Sequence, residues 1–172
     1  LSIGEYAPNM LAPHRMDLMV SSMTKDGHWN CNQKCLHCYA AGQTYADKKE
    51  LTTEEWKKVI DRCRQAYIPQ LTFTGGEPTK REDLVELIEY SKWFVTRLNT
   101  NGVLLTKELC EQLYEASLDS VQVTLYSNNE KIHKNSKRQL SLSFTKKRRN
   151  VCPQQQVCQK RDNHHHSFQP VA

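Results

Sequence analysis

Hydrophobic positions along the first three quarters of the chain follow two alternating periods. Short apolar runs predict β-strands at about Met16 to Val20, Gln70 to Thr74, Phe94 to Asn99 and Ser120 to Tyr126. Between them the spacing becomes helical. Trp56, Val59, Ile60, Cys63 and Tyr67 share one face of a helix predicted from about Thr53 to Tyr67, opened by a Thr52–Glu55 capping box. Thr79 and Glu82 form a second candidate box, ahead of a helix with Leu84, Val85, Leu87 and Ile88 inward. Thr106 is placed to cap a third helix, with Leu109, Cys110 and Leu113 inward. Gly75-Gly76 and Asn101-Gly102 close strands two and three. Regular strand–helix alternation predicts an α/β fold with parallel strands and right-handed crossovers.

The periodicity stops after Tyr126. Charge changes sign close by: residues 1–130 carry a net −4, whereas 131–172 carry +9, giving +5 for the 172-residue chain. Lys146 to Arg149 are consecutive bases, and Gln154 to Gln156 precede His164 to His166. Such a composition offsets the entropy of ordering poorly, so residues 134–172 are expected to form a disordered basic tail. No apolar run approaches the roughly 18 residues that a membrane-spanning helix needs, and no basic-then-apolar signal segment opens the chain. The first residue is Leu1 rather than Met, so the true N-terminus is expected to be missing.

The seven cysteines are an odd number, and three lie together in CNQKCLHC: Cys31, Cys35 and Cys38. Without a secretory signal, such spacing points to metal rather than to disulfides. Thiolates suit zinc, copper(I) or iron–sulfur clusters. Zinc normally takes a fourth protein ligand, and His37, lodged between two cysteines, is cramped for that role. Three thiolates can instead hold three irons of a cubane, leaving the fourth open to a small molecule. Cys63 and Cys110 fall on apolar helix faces and are expected to be small buried hydrophobes. Trp29 is placed either to shield a cluster or simply to pack. A dedicated metal site at Cys152, Cys158 and the histidine run is not expected.

The segment QLTFTGGEPT carries a second signal. An apolar strand ends in two glycines that let a ligand approach the backbone, at the C-terminal edge where parallel αβ barrels place their sites.

Together CNQKCLHCY and TFTGGEP resemble the radical S-adenosylmethionine (SAM) enzymes over about residues 15–133. CNQKCLHCYA, GGEPT, LNTNG and VQVTLYS look most like the branch that matures peptides and proteins, which usually adds a C-terminal SPASM domain. The resemblance implies a partial (βα) barrel with about four of the family's six βα units. It implies that Cys31, Cys35 and Cys38 ligate a [4Fe-4S] cluster whose open iron chelates SAM. Gly75, Gly76 and Glu77 match the turn that binds the SAM amino group, and His37 the ring packed near the adenine. Asn101 and Ser127 sit where family members approach SAM. Thr100, Thr124 and Tyr126 share those strand ends, and all five read more readily as turn residues. The implied reaction is reductive cleavage of SAM to a 5′-deoxyadenosyl radical that abstracts hydrogen, with a peptide or protein as substrate. A low-potential donor such as ferredoxin or flavodoxin would supply the electron.

The family pattern breaks after Ile132-His133. The later strands have no counterpart, which predicts a truncated or frame-shifted chain with low turnover. The expected organisation is a lead-in at 1–14, a partial core at 15–133 and the basic tail. A cytoplasmic setting is expected, with neither membrane nor nucleic acid as partner. The rival readings are a non-catalytic zinc or iron–sulfur domain and an RNA-modifying or RNA-binding protein.

Overall fold

The computed structural model describes residues 10–22, 29–38, 40, 49–129 and 131–133. Four strands, β1 (Met16–Ser21), β2 (Gln70–Gly75), β3 (Val95–Thr100) and β4 (Ser120–Val123), form one parallel sheet in the order β1-β2-β3-β4. Three helices connect or follow them: α1 (Thr53–Gln65), α2 (Leu84–Tyr90) and α3 (Lys107–Glu115). Each crossover moves one strand further in the same direction, which is how a (βα) barrel wall is built. The predicted α/β class and partial barrel are therefore what the chain forms.

Strand register sorts the side chains into rows. Leu18, Phe73, Leu98 and Val121 pair across the sheet. They face the helices, where Ile60, Cys63, Leu84, Leu87, Ile88 and Leu113 complete the core. Cys63 is buried there, as its helical position predicted. The next row, Asp17, Thr72, Arg97 and Ser120, alternates to the other face. Beyond it on that face stand Met19 opposite Thr74 and Asn99 opposite Gln122. None of the three helices packs against this face with a buried apolar residue.

The helix ends follow local chemistry. The Thr52–Glu55 capping box forms, and Thr106 Oγ accepts from Leu109 N at 3.1 Å. α1 stops before Tyr67, which adopts φ 58° while Ile68 N donates to Cys63 O at 3.1 Å. Ser117, with φ 68°, ends α3 in the same way as Leu118 N donates to Leu113 O at 3.0 Å. Both closures are Schellman-type, and both deliver an apolar residue to the core ahead of the next strand.

Two expectations are corrected. Thr79 and Glu82 do not cap α2. Thr79 lies in a short 3-10 turn (Pro78–Lys80), where its N–H and hydroxyl both donate to Glu77. α2 begins instead after Asp83, whose carboxylate is held by Thr53 and Arg81, both at 2.6 Å, and makes no cap bond. β4 also ends at Val123, short of Tyr126, because the chain turns away after Thr124 N donates to Thr100 O. Among the described residues no helix is long and apolar enough to cross a membrane. The tail beyond His133 and the lead-in at 1–9 lie outside the described residues.

Candidate metal centre and cofactor site

The C-terminal ends of the strands converge on the cysteine loop. Backbone joins fix it there: Asn30 N donates to Ser22 O at 3.4 Å, Glu77 N to Asn30 O at 3.0 Å, and Gly76 N to Ser21 O. Gly75 has φ 133°, and a Cβ on it would strike Ser21 O. A Cβ on Gly76 would strike Asn30 O, one residue before Cys31. The double glycine therefore lets β2 end flush against the loop. The Trp29 indole nitrogen lies beside Gly76 as well.

Side chains reinforce the junction. Ser21 Oγ donates to Asn30 O at 3.1 Å. Glu50 Oε1 accepts from Ser22 N at 2.8 Å and from Asn30 Nδ2 at 3.1 Å. Arg81 in turn donates to Val20 O at 2.9 Å and pairs with Glu50 at 3.5 Å. Sequence reasoning passed over Glu50 and Arg81, since neither belongs to a motif and both act through the fold.

Glu77 is fully buried. Its carboxylate accepts from Thr79 N (3.1 Å), Thr79 Oγ (2.6 Å), Thr100 Oγ (2.6 Å) and Asn101 N (2.8 Å). The two from Thr79 close the turn on itself, and the two from Thr100 and Asn101 bind it to the end of β3. Asn101 continues the link, its Nδ2 lying 2.7 Å from Asn32 Oδ1 and 3.9 Å from Cys31 Sγ. Asn32 is a third residue that the sequence did not single out.

Cys31, Cys35 and Cys38 are free thiols, each partly exposed. Burial pushes the Cys31 thiol pKa up, a backbone hydrogen bond at Gln33 opposes this, and the nearby Glu77, Cys35 and Cys38 charges add to the rise. Tyr126 leans over the group. Its hydroxyl pKa is pushed up to about 12, first by burial and then by the charge of Cys35 and a hydrogen bond to it. The Tyr126 ring meets that of His37 edge-on, with centroids 4.1 Å apart. Tyr126 N also donates to His133 Nδ1 at 3.3 Å. Ser127 stands slightly apart, its hydroxyl accepting from Asn129 N at 3.0 Å. The structure thus gathers Cys31, Cys35, Cys38, His37, Tyr126 and Asn101 at one mouth, beside Gly76 and above Glu77.

This donor set fits an iron–sulfur cluster. The three thiols are near enough to influence one another's ionisation. Yet among the described residues no three His, Cys, Asp or Glu side chains are disposed to hold a single metal ion. Binding would require the thiols as thiolates, so loading would release protons.

Known proteins bear on this geometry. The model of the radical SAM superfamily matches residues 30–147, further along the chain than the quoted motifs reach. The chain is 42% identical over 103 residues to Fe-coproporphyrin III synthase of Methanosarcina barkeri, covering 56% of this chain and 26% of that protein. It is 40% identical over 106 residues to a probable GTP 3′,8-cyclase of Thermococcus kodakarensis, covering 60% and 34%. It is 41% identical over 96 residues to PqqA peptide cyclase of Bradyrhizobium diazoefficiens, covering 55% and 25%. The aligned segment thus spans a quarter to a third of these relatives. In fold it matches Streptococcus suis SuiB bound to precursor peptide SuiA, with a TM-score of 0.62 at 20% identity over 78% of this chain and 29% of that one. SuiB bound to S-adenosylmethionine gives the same score and identity, over 78% and 30%.

Proposed function

The chain belongs to the radical SAM superfamily, and from that premise we propose that Cys31, Cys35 and Cys38 hold the family's [4Fe-4S] cluster in a protein that acts on a peptide. The family's two cofactors are this cluster and SAM. When bound together, they supply one-electron cleavage of the sulfonium and a 5′-deoxyadenosyl radical able to abstract hydrogen. The protein's own task is to position and shield.

The observation that carries the reading is the junction of the cysteine loop with the Gly75-Gly76-Glu77 turn. It is made by backbone hydrogen bonds and by a close approach that only glycine permits. Cys31 thereby stands beside exposed backbone at the end of β2. Gly76 offers that backbone to the ammonium group of SAM. Glu77 holds the turn in shape, with its carboxylate occupied by protein donors. Asn101 keeps Asn32 and Cys31 in place. His37 and Tyr126 offer ring faces to the adenine, and Ser127, which follows Tyr126 in the chain, is assigned to the ribose. A peptide substrate is supported by the likeness to PqqA peptide cyclase and by the fold shared with the peptide-bound SuiB. The electron comes from a ferredoxin- or flavodoxin-type donor in a cytoplasmic setting.

Anaerobic reconstitution followed by EPR of the reduced protein tests the assignment. A cubane signal that changes on adding SAM is expected, and Cys31→Ala, Cys35→Ala and Cys38→Ala should each abolish it. Colourless protein with one zinc per chain would refute it.

A further inference from the structure

We propose that Arg97 is a specificity-determining anchor for a carboxylate of the substrate, on the face of the sheet turned away from the helices, below the cysteine loop. The proposal rests on the peptide reading and sharpens it to an acidic peptide segment.

Strand alternation puts Arg97 on the face that the helices do not cover, in the row Asp17–Thr72–Arg97–Ser120. Its one hydrogen bond among the described residues is from Nε to Ser120 Oγ, at 3.3 Å. It makes no ion pair with any described carboxylate. The other charge in the row, Asp17, is matched by Arg15 at 2.9 Å. Arg97 is thus the unbalanced charge of that row. Beside it, Thr72 is 1% exposed and its Oγ1 has no hydrogen-bond partner, and in the row above Asn99 Oδ1 lacks one too. Both atoms are buried, so neither is open to a ligand, and Arg97, which is exposed, is the group of this row that can meet one. The face is therefore polar and singly cationic.

Position adds to chemistry. Arg97 stands four residues before Asn101 on β3, so the strand rise sets its Cα roughly 13 Å below the mouth. That depth suits a group held at a distance from the reacting atom. It is too deep for the SAM carboxylate, which belongs at the cluster. A guanidinium fork binds a carboxylate through two parallel hydrogen bonds. A nucleotide polyphosphate would call for several cations here, and a tetrapyrrole ring for apolar cover. The two rows offer one cation and, among Met19, Thr74, Asn99 and Gln122, a single apolar side chain.

The test uses the whole 172-residue chain labelled with nitrogen-15. Two blocked tripeptides serve as probes, one with central glutamate and one with central glutamine. The Arg97 Nε–Hε resonance should move saturably with the glutamate peptide, and the glutamine peptide should bind roughly tenfold more weakly. Arg97→Gln should erase that preference. Arg97→Lys, which keeps the charge and loses the fork, should retain part of it. Circular dichroism confirms that each variant is folded. Equal binding of both peptides, binding of neither, or a resonance that moves with SAM instead would overturn the proposal. The EPR response to SAM is read separately, so a failed anchor and a failed cofactor assignment remain distinct results.

Discussion

The two faces of the sheet are made by the same four strands and could hardly differ more. Toward the helices, Leu18, Phe73 and Leu98 are at most 3% exposed and pack in one continuous row. On the other side the next row, one residue earlier on every strand, is Asp17, Thr72, Arg97 and Ser120. A strand thus divides its positions between an apolar and a polar row, with period two as the only rule. The loops at the C-terminal ends of the strands sit on neither face but at the shared edge, where Gly75, Gly76 and Asn101 receive the cysteine loop.

Breaking the buried face should have the largest effect. Phe73→Ala removes a fully buried ring from the middle of the row and should cost about 3–5 kcal/mol, measured by urea unfolding. The edge comes next. Gly76→Ala forces a Cβ into Asn30 O and should lower cluster affinity by about 10-fold or more, read as iron and sulfide per chain. Leu98 and its row should remain packed, so the far-ultraviolet spectrum should keep its helical content. The polar face should matter least to stability. Gln122→Val should change the unfolding free energy by less than about 0.5 kcal/mol. A loss as large as that of Phe73→Ala would mean that the polar face carries the fold as well.

What could be read in the sequence follows this division. The buried face was legible because apolar periodicity and the Thr52 and Thr106 caps are local signals. The thiol trio and the double glycine were legible because their spacing is local too. Glu77 was harder. As a sequence position it is an acid after a glycine pair, whereas the fold brings Thr100 and Asn101, more than 20 residues later, to surround its carboxylate. The same contact explains the failed Thr79–Glu82 box, since Thr79 was already engaged by Glu77. Tyr126 was assigned to a strand by its apolar neighbours, but its ring meets His37 beyond the end of β4. Arg97 drew no attention because its row exists only once the register is known.

The Gly76–Asn30 approach has a consequence for redesign. A seam whose closest contact is main chain against main chain leaves no room for a side chain, so the attachment of the cysteine loop is fixed by what the two positions lack. The two glycines are therefore the fixed datum of any redesign of the protein.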